Sequence, residues 1–188
     1  MSPPAVAGVD WAGDGWIAVY FRDSSYDGYT FSSRFDELWE NRDAPKLVLV
    51  DVPIGLPEDP SSLQTREDLD SLARSVTNRP SSVFPVPSRD ACSIAYREGG
   101  SYERVVTQNE TDLEKGMNWQ SYYIASGIGE VDAYLRQNEG AEQRIIEAHP
   151  EVCFRAFLER SLEYKKNCAA GVGERLEALE TVIETPGE

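Results

Sequence analysis

Apolar and polar positions along this chain alternate between two periods. Short apolar runs ending in an acid read as strands, and three-to-four spaced stripes between them read as helices. Ala5–Tyr20, AVAGVDWAGDGWIAVY, is the most ordered stretch. Ala5–Val9 is apolar on both faces, which suits a covered sheet, and Asp10 follows at its carboxyl end. Two glycines between Asp10 and Gly15 allow the backbone to reverse, so Trp16–Phe21 returns antiparallel. Tyr29–Ser32 is a third strand after the polar turn DSSYDG. Phe35–Glu40 spaces Phe35, Leu38 and Trp39 as a short helix. Leu47–Val52, LVLVDV, carries Asp51 near its end ahead of the stiff segment Pro53–Pro57, and is too apolar for an exposed edge. A right-handed crossover lays it parallel beside the first strand. Ile145-Ile146 is a third such run, with Glu147 at its end and His149-Pro150-Glu151 opening a helix.

Helical spacing covers most of the rest. After a loop over Asp59–Gln64, Arg66–Val76 gathers Leu69, Leu72, Ala73 and Val76 on one side, with Asp70 and Arg74 four apart and able to pair. Arg79–Arg89, with three prolines, excludes regular helix and reads as an ordered loop or lid. Ala91–Arg97 and Tyr102–Lys115 are polar helical segments. Trp119–Arg136 is one longer helix or two, with Ile124, Ile128, Val131 and Leu135 on a stripe and Glu130 and Asp132 read as a solvated face. Val152–Leu158 and Glu174–Ile183 complete the helices.

Composition changes this picture in three respects. At 188 residues and 40% hydrophobic content, one core and a single domain over 1–188 are expected. No apolar run is long enough to span a membrane and no basic region precedes one, so a soluble cytoplasmic protein is expected, with no membrane partner. The 3 cysteines lack the C-x-x-C spacing of a zinc site. The 33 acids against 18 bases give −15, spread along the whole chain. That spread favours adaptation to high salt over a dedicated acidic interface, because molar salt screens repulsion to about 3 Å. It also removes the overall basic footprint that usually marks nucleic-acid binding.

The candidate chemistry collects at the strand ends. Neighbouring strands lie about 4.8 Å apart, so Asp10 and Asp51 can converge, and two carboxylates that close repel unless a proton or divalent cation lies between them. Either acid can instead cap its own turn. His149, the single histidine, can ligate metal, act as acid or base, or hydrogen-bond structurally to a loop. Arg79 and Arg89 suit binding an anionic substrate, or ion pairs with surface acids. Lys165 and Lys166 are the only adjacent basic pair.

These residues carry a resemblance. GVDWAGDGW, VDVPIGLP, Asp70–Arg74 as D-x-x-A-R, SVFPVPSR, Gln120 with Glu130–Asp132, EAHPEVCF and KK-x4-G-x3-R through Arg175 resemble, in order, the family known as domain of unknown function 429. The resemblance runs from about Val6 to Arg175. It implies an RNase H-like fold: a mixed five-stranded sheet in the order 3-2-1-4-5 with helices on its faces. It also implies a metal-dependent nuclease whose Mg or Mn ions are held by Asp10, Asp51 and Glu147. His149 would orient water or assist the leaving group, and Arg79, Arg89 or Lys165 would meet substrate phosphate. The partner implied is nucleic acid or a nucleotide. Family members usually continue into a further acidic Asp-x-x-Asp-Ala helix that has no counterpart before Glu188, so either that acid is missing or the chain is a fragment; Glu180 and Glu184 are the candidates to substitute, without the expected sequence context. That departure keeps open a non-catalytic module binding nucleic acid or nucleotide through the same groove. A phosphotransferase of the actin-like ATPase group fits less well, because it needs a second subdomain.

Overall fold

The computed structural model describes residues 6–23, 25–40, 44–77 and 83–183. Its centre is a mixed five-stranded sheet built from β1 (Val6–Trp11), β2 (Trp16–Arg22), β3 (Ser25–Ser32), β4 (Leu47–Val50) and β5 (Ile145–Glu147). The order across the sheet is β3-β2-β1-β4-β5, as expected from the sequence. β1–β2 and β2–β3 are antiparallel; β1–β4 and β4–β5 are parallel. The polar stretch read as a long turn is mostly strand: β3 begins at Ser25, and Asp23, at φ 49, turns the chain. Phe35–Glu40 contributes a 3-10 turn at Asp36–Trp39, with Phe35 and Leu38 buried beneath it.

One sheet face supplies Ala7, Val9, Trp16, Ala18, Tyr20, Val48, Val50 and Ile145 to the core. The helix that covers them is α4 (Trp119–Gln137), one unbroken helix in which Ile128 and Val131 are fully buried. It packs most extensively on α2 (Arg89–Glu98), with α3 (Tyr102–Leu113) alongside. Close approach has a requirement: a Cβ on Gly129 would stand 2.3 Å from the Cys92 carbonyl oxygen. On the opposite sheet face Ile17, Tyr29, Phe31 and Ile146 remain exposed.

α1 (Pro60–Thr77) starts earlier than the apolar pattern suggests, because Pro60 suits a first helical turn and Asp59 accepts the Ser62 N–H at 2.7 Å. Its buried face is also different. Leu69 and Leu72 are 60% and 63% exposed, whereas Leu63, Arg66, Asp70 and Thr77 are buried. An ionic network, and not an aliphatic stripe, turns this helix inward. Asp70 accordingly pairs with Arg66 at 2.9 Å instead of with Arg74, whose Nε donates to the Val83 carbonyl. α5 (Pro150–Leu158) and α6 (Ala169–Glu180) complete the fold, and α5 packs on both α1 and α6. No helix among the described residues is long and apolar enough to cross a membrane.

Candidate functional site

The parallel ladder brings Asp10 and Asp51 together. Val9 pairs with Val50, and the Asp51 N–H donates to the Val9 carbonyl at 2.9 Å, so the two acids occupy the next rung. Strand alternation turns Val9 and Val50 into the core, which sends Asp10 and Asp51 out of the opposite face side by side. The Asp10 carboxylate also accepts the Trp11 N–H at 2.8 Å, so it does cap its own turn while keeping a solvent-exposed rim.

Glu147 falls one rung back, paired with Val50 and not with Asp51. By the same alternation it leaves the sheet on the side of the core-facing residues, and there Arg66 meets it. Arg66 Nη1 and Nη2 each lie 2.6 Å from a Glu147 oxygen, and the Ile54 N–H donates to the same carboxylate at 2.9 Å. Glu147 is therefore committed to a fork on an arginine that also holds Asp70 and the Ile54 carbonyl. Among the described residues no group of three or more His, Cys, Asp or Glu is arranged to hold a metal ion.

Two further residues bear on the acidic pair. His149 is the N-cap of α5 and its charge acts on Asp51. Lys166, in the connection between α5 and α6, acts on both Asp10 and Asp51. Burial, and after it the charge of Asp10, raise the Asp51 carboxyl to about 6 against the pull of His149 and Lys166, with Glu147 adding a smaller upward push. Asp10 is raised by partial burial, opposed by the Trp11 N–H and Lys166. Cys153 on α5 is raised too, first by burial and then by Asp51.

Arg89 pairs with Glu58 and, at 3.2 Å, with Asp132, so its fork is filled by acids. It borders a cavity of about 260 Å³ lined also by Ile54, Leu56, Val131 and Arg136. Arg79 and Glu184 fall outside the described residues. Lys165 is exposed, and its carbonyl accepts the Cys168 N–H at 3.2 Å. Glu130, read as a solvated acid, is buried and accepts from Trp16 Nε1 at 2.7 Å and the Phe35 N–H at 2.8 Å, tying α4 to the meander. Arg66 escaped the sequence reading, although its spacing four before Asp70 is the signal that finds it.

A family model matches residues 8–187, nearly the whole chain. The chain belongs to the DUF429 family. That family is described as a protein of unknown function, so membership fixes kinship without fixing chemistry. No curated protein and no solved structure matches this DUF429 chain.

What the DUF429 site can do follows from its donors. Two hard carboxylate oxygen donors side by side, one with a raised pKa, fit a divalent cation such as Mg or Mn, which would neutralise their repulsion. Glu147 does not complete the set while Arg66 holds both of its oxygens.

Proposed function

We propose that the chain is a metal-dependent phosphodiester hydrolase acting on nucleic acid or a nucleotide, on a sheet of RNase H-like order. The observation that carries the reading is the pairing of Asp10 and Asp51 on one rung of adjacent parallel strands, at the carboxyl edge where open α/β sheets bind ligands. When bound there, a divalent ion supplies charge neutralisation and a more acidic water. Asp10 and Asp51 hold it. His149, beside Asp51, exchanges the proton of the attacking or leaving oxygen. Glu147 and Arg66 set the position of the β5 end beneath them. The free thiols of Cys92, Cys153 and Cys168 suit a reducing compartment such as the cytoplasm, and the acid excess suits strong electrolyte.

Calorimetric titration with Mn²⁺, followed by incubation with single-stranded RNA and DNA, tests this. Wild type should bind Mn²⁺ and cleave one substrate only with the ion present, and Asp10→Asn should lose both properties. Unchanged Mn²⁺ affinity in Asp10→Asn would refute the assignment. The engagement of Glu147 by Arg66 favours a second reading, in which the same groove binds nucleic acid or nucleotide without turnover. Retained binding of an oligonucleotide with no divalent-dependent cleavage selects that reading.

A further inference from the structure

Asp70 and Arg74 stand one helical turn apart on α1, yet each takes a different partner, and both line one cavity of about 130 Å³. The cavity lies between α1, α3 and the proline-rich segment ahead of α2, and Leu63, Pro85, Val86, Leu113 and Met117 give it apolar walls. Those walls are pinned. The Ser121 hydroxyl donates to the Pro85 carbonyl at 2.8 Å, and the buried Asn109 accepts the Ser88 N–H and donates to the Lys115 carbonyl, each at 2.8 Å. Pro85 and Pro87 fix the backbone between these anchors, so the segment cannot coil into the space.

The two charges of α1 that face this cavity are only half used. Arg66 approaches Asp70 through Nε and Nη2, and both contacts, at 2.9 Å, fall on Oδ1. Oδ2 takes no partner among the described residues, although Asp70 is only 3% exposed. Arg74 uses Nε on the Val83 carbonyl at 3.1 Å, and its terminal nitrogens donate to nothing among the described residues. Glu67 and Lys115, also at the cavity, are exposed and answer each other. A buried carboxylate oxygen and an open guanidinium edge carry a desolvation cost that a molecule answering both would remove.

The pair of charges selects the ligand. A diamine would satisfy Asp70 and repel Arg74, a dicarboxylate would do the reverse, and a hydrocarbon would satisfy neither. A zwitterion answers both: β-carbons four apart on a helix lie about 5–6 Å from each other, a span that an ammonium and a carboxylate on one carbon can bridge. The volume falls below the roughly 300 Å³ at which drug-sized ligands begin, so the zwitterion is small. We propose that this cavity binds a small aliphatic α-amino acid, with its ammonium on Asp70 Oδ2, its carboxylate on the Arg74 guanidinium and its side chain against Leu63, Val86 and Leu113. The site is separate from Asp10 and Asp51 and does not depend on the hydrolase reading. Through Arg66, which holds both Asp70 and Glu147, filling it adds a cation to the network that fixes the end of β5.

The test titrates the full chain with L-valine and follows the methyl resonances of Leu63, Val86 and Leu113 by NMR. L-valine should shift all three and saturate. Isobutylamine and 3-methylbutanoate, which carry the ammonium and the carboxylate separately, should each bind about tenfold more weakly or worse, a comparison that needs no variant. Arg74→Met and Asp70→Asn should each weaken L-valine about tenfold, the asparagine keeping an oxygen for Arg66. Leu113→Phe fills the space and should abolish binding with both charges in place. Leu72→Ser, on the 63% exposed side of the same helix, should change nothing. L-valine that moves none of these methyls at millimolar concentration would show a cavity filled by water alone and overturn the proposal. Isobutylamine binding as tightly as L-valine, or L-valine affinity unchanged in Arg74→Met, would overturn it equally.

Discussion

Arg66 grips Glu147 through two parallel bonds of 2.6 Å, one from each terminal guanidinium nitrogen. That fork joins α1 to the end of β5, and it separates a structural acid from the two that remain available. Replacing Glu147 by Gln leaves a buried guanidinium with Asp70 as its remaining carboxylate partner. The expected loss is about 2 kcal/mol of folding stability, below the cost for a fully buried pair because the Glu147 side chain is 33% exposed. Urea denaturation measures it. A variant of unchanged midpoint that loses Mn²⁺ binding would show Glu147 to be a ligand first and a strut second.

Asp51 should behave in the opposite way. A carboxyl raised from 3.8 to about 6 in the fold binds more protons folded than unfolded between those values. Its charge therefore costs nothing at low pH, and the cost grows as pH climbs towards and past about 6. Asp51→Asn is expected to stabilise the metal-free protein by about 2 kcal/mol at neutral pH and by almost nothing near pH 4. Paired melts of wild type and variant across that range check the sign. A difference that grows as pH falls would exclude the repulsion described here.

Added Mn²⁺ should raise the melting temperature of wild type at pH 7 and raise it much less at pH 5, where Asp51 is largely protonated. Equal stabilisation at both pH values would mean that the ion binds away from Asp51.

Gly129 gives a test of the scaffold alone. Alanine is the better helix former, yet its Cβ would meet the Cys92 carbonyl at 2.3 Å, so Gly129→Ala should push α2 and α4 apart at a cost of about 2 kcal/mol. A stabilised variant would show that the two helices have room to slide.

The charge of −15 predicts a melting temperature that rises from dilute buffer to molar KCl. A flat salt profile would remove the argument for adaptation to strong electrolyte.

The strands were legible because each apolar run ends in an acid and flanks a breaker, and the pairing of Asp10 with Asp51 followed from strand order alone. Glu147 shows where that reasoning stops. A shift of one rung moves a side chain to the other sheet face, and a three-residue strand carries too little pattern to reveal its register. α1 misled for a related reason: its leucines repeat at helical spacing, but Arg66 and Asp70 are the side chains that turn inward.

The placing of β5 has a consequence for how the molecule assembles. β1, β2 and β3 close through short local turns, and β4 joins them after a brief excursion, so Asp10 and Asp51 meet early. β5 can dock on β4 only after α1 to α4, which intervene, have been gathered in, and loop closure of that length opposes early pairing. The Arg66–Glu147 fork is then a late latch, formed after the repelling acids are already in place. Pulsed hydrogen exchange during refolding should protect the β1–β4 amides before those at Glu147 and Ala148, giving the chain a folding intermediate in which the acidic pair exists and the latch does not.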